Sequence, residues 1–156
     1  MLSPDPDTLT PPGEQGEPSA DLTIPSDPAE ARRVQEEIER LLTSRRAGDR
    51  DVFSIRLALE EALVNAIKHG NQMDRAKKVR VAYRLAPDHF EVRITDEGSG
   101  FDPTEVPDPT AAENLERPCG RGLMLMRHYM SEVDFSPKGN SVTMRKFFGT
   151  NGRVSP

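Results

Sequence analysis

The sequence predicts an α+β fold, a two-layer α/β sandwich in which about three helices cover one face of a mixed, mostly antiparallel sheet. The segments of the 156-residue chain run in the order strand, two helices, hairpin, long loop, helix and hairpin. The strand segments also alternate apolar and polar residues, as strands of a sheet with one covered face do. This order lacks the strict strand–helix–strand repeat of a doubly wound fold. A chain of this length is expected to form one domain.

Composition and charge argue against several classes of function. The net charge is -5, and basic residues alternate with acidic ones, which disfavours a nucleic-acid surface. A single cysteine, Cys119, cannot form an internal disulfide and fits a reducing compartment. No apolar run approaches membrane-spanning length, and residues 1–20 lack the pattern of a secretion signal. We therefore expect a soluble cytoplasmic protein that binds neither nucleic acid nor membrane.

The N-terminal residues 1–20 are predicted to be disordered, because their prolines, acids and glycines cannot bury enough apolar surface to offset the entropy of ordering. Residues 21–25 alternate briefly and predict an edge strand that Pro25 closes. Ser26 or Asp27 is expected to cap a first helix that has Pro28 in its first turn and ends near Gly48. The apolar residues at helical spacing on this helix are Val34, Ile38, Leu41 and Leu42.

A second helix is expected to begin within residues 49–51, to run to His69 and to end at Gly70. Its apolar stripe consists of Val52, Ile55, Leu59, Ala62 and Ala66.

Glu61 and Asn65 lie four positions apart on this helix, so both project from the same side, outside the stripe. A phosphoryl-transfer site needs a carboxylate that orients or deprotonates the attacking hydroxyl, and a hard oxygen ligand for Mg²⁺. Glu61 suits the first role and the Asn65 carboxamide oxygen suits the second. An isolated pair at this spacing is far more often two ordinary solvated residues.

The second half of the chain predicts two hairpins separated by a long loop. The turn signal Pro87-Asp88 separates two alternating runs, at 79–85 and 90–94, which predicts an antiparallel hairpin. The loop that follows is rich in glycine, proline and acids, and loops of that length are usually functional or mobile. The remaining predicted elements are a helix at 122–131, strands at 133–135 and 141–148 and a loose tail at 149–156, which leaves 21–148 as the folded domain.

Asp96-x-Gly98-x-Gly100 follows directly after a predicted strand. A carboxylate at a strand end can accept a hydrogen bond from an exocyclic amine such as adenine N6, and the glycines allow the backbone to approach a ligand closely. The alternative is a plain turn, because aspartate and glycine favour turns for local reasons.

Gly120-x-Gly122 stands at the start of the third predicted helix. Backbone N–H groups at a helix start can bind phosphate oxygens, and Arg117 and Arg121 can add charge-assisted contacts. The alternative is a flexible hinge with solvated arginines.

Taken in order, these three segments resemble the ATP-binding boxes of the GHKL superfamily, whose members share the Bergerat, or histidine-kinase-like ATPase, fold. Within that superfamily, the small size and the segments 22–26, 57–62 and 122–126 look most like the anti-sigma-factor serine/threonine kinases of bacterial partner-switching systems. The resemblance covers residues 21–148. The residues that match the three boxes are Glu61, Asn65, Ala66, His69 and Gly70, then Asp96, Gly98 and Gly100, then Gly120, Gly122 and Leu123.

The resemblance implies roles for the residues of the first two boxes. Glu61 would be the catalytic general base, and Asn65 would bind both the nucleotide and the Mg²⁺ ion. Asp96 would contact the adenine amine, with Gly98 and Gly100 shaping its turn.

In the third box, Gly120 and Gly122, followed by Leu123, would close a lid over the phosphates of ATP. Arg117 stands where such kinases place an arginine near the γ-phosphate or the bound substrate. Arg121 is an alternative for that contact, and the sequence leaves the choice between the two open.

The implied reaction is ATP- and Mg²⁺-dependent phosphorylation of a serine or threonine on an antagonist protein of the STAS type. The resemblance also implies a sigma factor as a second partner, and a homodimer. A non-catalytic module that binds a partner in a nucleotide-dependent way is the alternative. The catalytic half of a histidine kinase is disfavoured, because the upstream helix contains no histidine.

Overall fold

The computed structural model describes residues 17–98 and 118–149, without the side chains of 118–121. These residues form an α+β sandwich, which confirms the predicted fold class. The strands are β1 Ser19–Pro25, β2 Lys78–Leu85, β3 His89–Thr95, β4 Glu132–Phe135 and β5 Ser141–Phe147. The helices are α1 Pro28–Ser44, α2 Asp49–Val64 and α3 Pro118–Tyr129, and a π-helical segment, Asn65–Gly70, continues α2.

The five strands form one sheet in the order β1-β2-β3-β5-β4, and every pairing within it is antiparallel. β1 is an edge strand that ends at Pro25, as predicted. The predicted β2–β3 hairpin is also present, and the Ala86 N–H donates to the His89 carbonyl across its turn at 2.9 Å.

The hydrophobic core lies between the helices and one face of the sheet. Alternate residues of β2, β3 and β5 point to this face and are buried with apolar residues of all three helices. The opposite face is charged, and Arg84, Glu91 and Arg145 lie side by side on neighbouring strands. The helices therefore cover the apolar face of the sheet, and the charged face lies on the other side.

Helix α1 begins as predicted, since the Asp27 side chain accepts the Ala29 N–H at 2.9 Å. It ends before the predicted glycine because Arg46 adopts a left-handed conformation with φ 64°. The Arg46 and Ala47 N–H groups then bond back to Thr43 and Leu42, which is the Schellman pattern usually built on glycine.

The sequence predicted that the second helix runs to His69, but the regular α-helix ends at Val64. From Asn65 onward it widens into a π-helical segment, and the Asn71 N–H donates to the Ala66 carbonyl five residues earlier at 2.8 Å. Gln72 and Met73 follow, both with left-handed backbones. The wider turn keeps Ala66 and Ile67 in the core while changing the direction in which the next residues point.

The predicted starts of β1 and α3 also differ from the observed ones. β1 begins at Ser19, inside the segment predicted to be disordered, because Ser19 and Ala20 pair with Arg84 and Tyr83. Helix α3 begins at Pro118 and not at residue 122, since proline fits the first helical position, where its missing N–H costs nothing. The rest of the predicted N-terminal tail, most of the long loop and the end of the C-terminal tail lie outside the described residues.

In the part of the chain described, no helix combines the length and the apolar composition that a bilayer-spanning helix requires.

Replacing Arg46 by glycine should stabilise the fold, because glycine adopts a left-handed backbone without a Cβ clash. The expected gain in the free energy of unfolding is about 0.5–1 kcal/mol, measured by urea denaturation. Arg45→Gly is the matched control, since Arg45 has an ordinary φ of -97° and glycine should destabilise there. Equal effects at both positions would contradict the assignment of the helix end.

Candidate functional site

Glu61, Asn65 and Gly122 meet where helix α3 crosses the end of α2. A Cβ placed on Gly122 would lie 2.9 Å from Asn65 Nδ2 and 3.0 Å from Glu61 Oε2. The two polar side chains are therefore neighbours on one side of α2, as the four-residue spacing predicted. Gly122 is the residue that lets α3 approach them so closely.

Helix α3 begins earlier than the sequence predicted, and this changes which residues form its first turn. Because the helix starts at Pro118, Gly122 lies in its second turn, whereas Gly120 and Arg121 belong to the first. Backbone N–H groups of a first turn have no partner within the helix and favour an anion. Gly120 and Arg121 thus lie in the turn of α3 whose backbone N–H groups have no partner within the helix.

Asp96 lies in a turn that packs against the end of the π-helical segment. The Gly98 N–H donates to Asp96 Oδ1 at 2.8 Å. A Cβ on Gly70 would overlap the Asp96 carboxyl group, and a Cβ on Gly98 would overlap the Gly70 carbonyl. Gly98 is required by close approach of two backbones, and Gly70 by close approach of the Asp96 carboxyl group to the backbone.

Asn140, which the sequence analysis had not singled out, holds the backbone of the same turn. The Asp96 N–H donates to the Asn140 carbonyl at 2.9 Å, and Asn140 Nδ2 donates to the Asp96 carbonyl at 3.2 Å. No sequence signal marks this residue, because it lies 44 positions away and only the pairing of β3 with β5 brings it near.

The Asp96 carboxyl group is partly removed from water. Burial raises its pKa, and this effect outweighs the Gly98 hydrogen bond and the charges of Lys138 and Lys77, which lower it. A half-buried carboxylate is suited to accept a hydrogen bond from a ligand amine.

The other predicted site residues are placed as follows. The side chain of Leu123 is buried in the hydrophobic core, where it packs α3 against the other elements. The side chain of Arg121 lies outside the described residues, as do Gly100 and Arg117 entirely. The choice between the two arginines therefore stays open.

Within residues 17–98 and 118–149, no group of three or more histidine, cysteine, aspartate or glutamate side chains is placed to hold a metal ion. A metal bound at Asn65 would accordingly take most of its ligands from phosphate oxygens and water. Mg²⁺ is commonly bound in that way, through one or two protein groups together with substrate phosphates. The donor set therefore fits a nucleotide-associated Mg²⁺ ion.

Residues 24–146 match the family model of the histidine kinase-like ATPase domain. The description of that family names an ATPase, so ATP is the ligand expected at this site.

Curated proteins similar to this chain are named as kinases and anti-sigma factors. Serine/threonine-protein kinase BtrW from Bordetella bronchiseptica is 31% identical over 53% of this chain and 60% of the relative. Serine-protein kinase RsbW from Listeria innocua is 31% identical over 62% of this chain and 66% of the relative. The anti-sigma F factor of Clostridium perfringens is 29% identical over 64% of this chain and 75% of the relative. The chain thus spans somewhat less than two thirds of the first two relatives.

A solved structure of similar fold is the crystal structure of the RsbU and RsbW domains of Rv1364c from Mycobacterium tuberculosis. It aligns with a TM-score of 0.56 and 20% identity over 89% of this chain and 33% of that chain. At this identity the likeness concerns the fold alone. Together with the family match, these relatives confirm the resemblance drawn from the three sequence segments.

Gly98→Ala and Gly122→Ala should differ in their effects on stability, because their Cβ atoms meet different neighbours. At position 98 the new Cβ overlaps backbone, which cannot move aside, whereas at position 122 it meets the ends of two side chains. We expect a loss of at least about 2 kcal/mol for the first and about 1 kcal/mol or less for the second.

Thermal or urea denaturation of both variants measures the difference. Gly149→Ala is the control, since a Cβ there has no neighbour within 4 Å. If Gly98→Ala were no more destabilising than Gly149→Ala, the close contact between the turn and Gly70 would be wrong.

Proposed function

The chain belongs to the histidine kinase-like ATPase domain family, and from that premise we propose that it is an ATP- and Mg²⁺-dependent protein serine/threonine kinase. It acts as an anti-sigma-factor regulator in a partner-switching pathway, with an STAS-type antagonist protein as its substrate and a sigma factor as its second partner. These partners place it in the cytoplasm. The observation that supports the proposal most directly is the meeting of Glu61 and Asn65 at Gly122.

Glu61 is the general base of the proposed reaction. Its carboxylate accepts the proton of the substrate hydroxyl as the oxygen attacks the γ-phosphorus of ATP, and the bond from that phosphorus to the bridging oxygen of ADP breaks. The products are the phosphorylated side chain and ADP. The position of Glu61 Oε2, next to the beginning of the helix proposed to bind the phosphates, supports this role.

Asn65 is the protein ligand of the metal, through its carboxamide oxygen. Mg²⁺, when bound, neutralises phosphate charge and helps to align the transferred group. Gly120 and Arg121 contribute backbone N–H groups of the α3 N-terminus toward the phosphates. Arg117 and the Arg121 side chain remain the two candidates for a contact with the γ-phosphate.

Asp96 binds the adenine ring. The carboxylate oxygen that does not bond the Gly98 N–H accepts a hydrogen bond from the adenine amine. Gly70 and Gly98 let this carboxylate lie close to the end of the π-helical segment, because neither residue has a side chain in the way. The names of the relatives support the choice of substrate class, since one is called a serine/threonine-protein kinase, one a serine-protein kinase and one an anti-sigma factor.

Glu61→Gln should abolish phosphoryl transfer while leaving ATP binding intact, because glutamine preserves the size of the side chain but cannot take the proton. General bases typically contribute about 10²–10⁴ in rate, so a loss in this range is expected. Transfer of radiolabel from ATP to a purified STAS-type antagonist measures the rate, and calorimetry measures the dissociation constant. Glu60→Gln is the matched control, since Glu60 is exposed on the same turn.

Unchanged transfer in Glu61→Gln would exclude Glu61 as the base. Tight ATP binding by the wild-type chain without transfer to any such antagonist would instead favour a non-catalytic, nucleotide-dependent binding module.

Asp96→Asn should weaken ATP binding and stabilise the nucleotide-free fold at neutral pH. The asparagine oxygen can keep the Gly98 bond, but its NH₂ group then faces the adenine amine, so the loss of a hydrogen bond to a charged group costs about 1.5–3 kcal/mol, or about 10–150-fold in affinity.

The stability effect follows from the raised pKa of Asp96. The folded state holds the proton more tightly than the unfolded state, so wild-type stability falls as pH rises from the unfolded pKa through the folded one. The ionised Asp96 destabilises wild type at neutral pH, and the protonated carboxyl group at low pH does not. The gain in melting temperature of Asp96→Asn over wild type should therefore appear only at neutral pH. Asp134→Asn, which removes the same charge from a residue 70% exposed, is the control. Weaker ATP binding without any gain in stability would contradict the burial effect.

A further inference from the structure

Asn71 is completely buried and belongs to none of the three sequence segments that resemble ATP-binding boxes. We propose that it is a positioning residue for nucleotide binding, which holds the Asp96 turn at a fixed distance and angle from the end of α2. The inference rests on the proposed function, because it assigns Asn71 to the contact between Asp96 and the adenine amine. It does not make Asn71 a ligand of ATP.

The side-chain amide of Asn71 has a partner for each of its polar atoms. Its Nδ2 donates to Ser26 Oγ at 2.9 Å and to the Lys78 carbonyl at 2.9 Å. Its Oδ1 accepts the Glu97 N–H at 2.8 Å. An amide with two donated bonds and one accepted bond at a buried site can neither rotate nor flip without breaking them.

These bonds tie the two halves of the candidate site together. The backbone N–H of Asn71 donates to the carbonyl of Ala66 at 2.8 Å and so closes the π-helical turn. Ala66 directly follows Asn65. The side chain of Asn71 simultaneously binds Glu97, the residue next to Asp96. A single residue thus connects the segment proposed to hold Mg²⁺ with the turn proposed to hold the base.

The environment of Asn71 reinforces this connection from both sides. The Lys78 N–H donates to Glu97 Oε2, and Ser26 Oγ donates to the Lys77 carbonyl at 2.7 Å. These bonds hold the Asp96 turn against the beginning of β2. Gly70 and Gly98 leave no intervening side chain to act as a spacer. The hydrogen bond from Glu97 to Asn71 therefore sets the position of the turn relative to the end of α2, whereas Asn140 holds the turn on the side of β5.

Asn71→Ala removes the hydrogen bond to the Glu97 N–H, so Asp96 should be held less firmly in position. Ser26→Ala is the matched control, because it removes buried hydrogen bonds from the same cluster while leaving the bond between Asn71 and Glu97. Asn71→Ser is a second variant in which a small hydroxyl keeps some polarity at the buried site but is too short to replace the carboxamide. Together the three variants separate loss of the turn's anchor from general loss of stability.

The measurement is the ratio of dissociation constants for ATP and inosine triphosphate, which carries a carbonyl where adenine has its amine. Calorimetry with Mg²⁺ should be done at a temperature at which each variant is folded by circular dichroism. Wild type should prefer ATP by at least about tenfold, the ratio that one charged hydrogen bond supports. Ser26→Ala should keep that ratio, whereas both Asn71 variants should lower it to about threefold or less.

Wild-type selectivity in the Asn71 variants would overturn the inference while leaving the proposed function intact. An equal loss of selectivity in Ser26→Ala would also overturn it, because the effect would then belong to the whole buried cluster. ATP binding by wild type without any preference over inosine triphosphate would contradict the proposed adenine contact itself, and the role of Asn71 would fall with it.

Discussion

The candidate site depends on close contacts of three glycines, at which a Cβ would be too near a backbone or side-chain neighbour. Gly98 lies against the Gly70 carbonyl, Gly70 lies against the Asp96 carboxyl group, and Gly122 lies against Glu61 and Asn65. Each contact joins parts of the chain that are distant in sequence, so the site exists only when the sheet and helices have packed. The glycines act here by their small size, since none of these three has a left-handed backbone among the residues described.

Burying Asp96 destabilises the fold and leaves a carboxylate suited to the proposed contact with adenine. Burial raises the pKa of Asp96 because the ionised carboxylate loses part of its hydration. Hydrogen bonds with Asn140 and Gly98 keep Asp96 in this position. A ligand amine would restore part of the lost hydration. The turn therefore resembles many ligand sites, in which local stability is lower than the surrounding scaffold could provide.

The sequence predicted most of the fold because the signals for its elements are local. The alternation in β2 and β3, the turn at Pro87-Asp88 and the cap at Asp27 each depend on residues within one or two turns of each other. The site pair Glu61 and Asn65 followed from helical spacing alone. These are the features that short-range geometry determines.

Other features could not be predicted, since they depend on long-range contacts. The π-helical turn after Asn65 depends on how the end of α2 packs, and no residue type marks it. The helix end at Arg46 breaks the usual preference for glycine. Asn71 reads as an ordinary loop residue in the sequence, because its partners Ser26 and Glu97 lie 45 and 26 positions away. Only the assembled fold makes it a buried connection.

The central claim is that a magnesium-bound purine triphosphate sits between α2 and α3, with its base at Asp96. Calorimetric titration of the wild-type chain with ATP, in the presence of Mg²⁺ and then of EDTA, tests this claim most directly. The account predicts measurable affinity with Mg²⁺ and a marked loss of affinity when the metal is chelated. Absence of ATP binding under both conditions would contradict it.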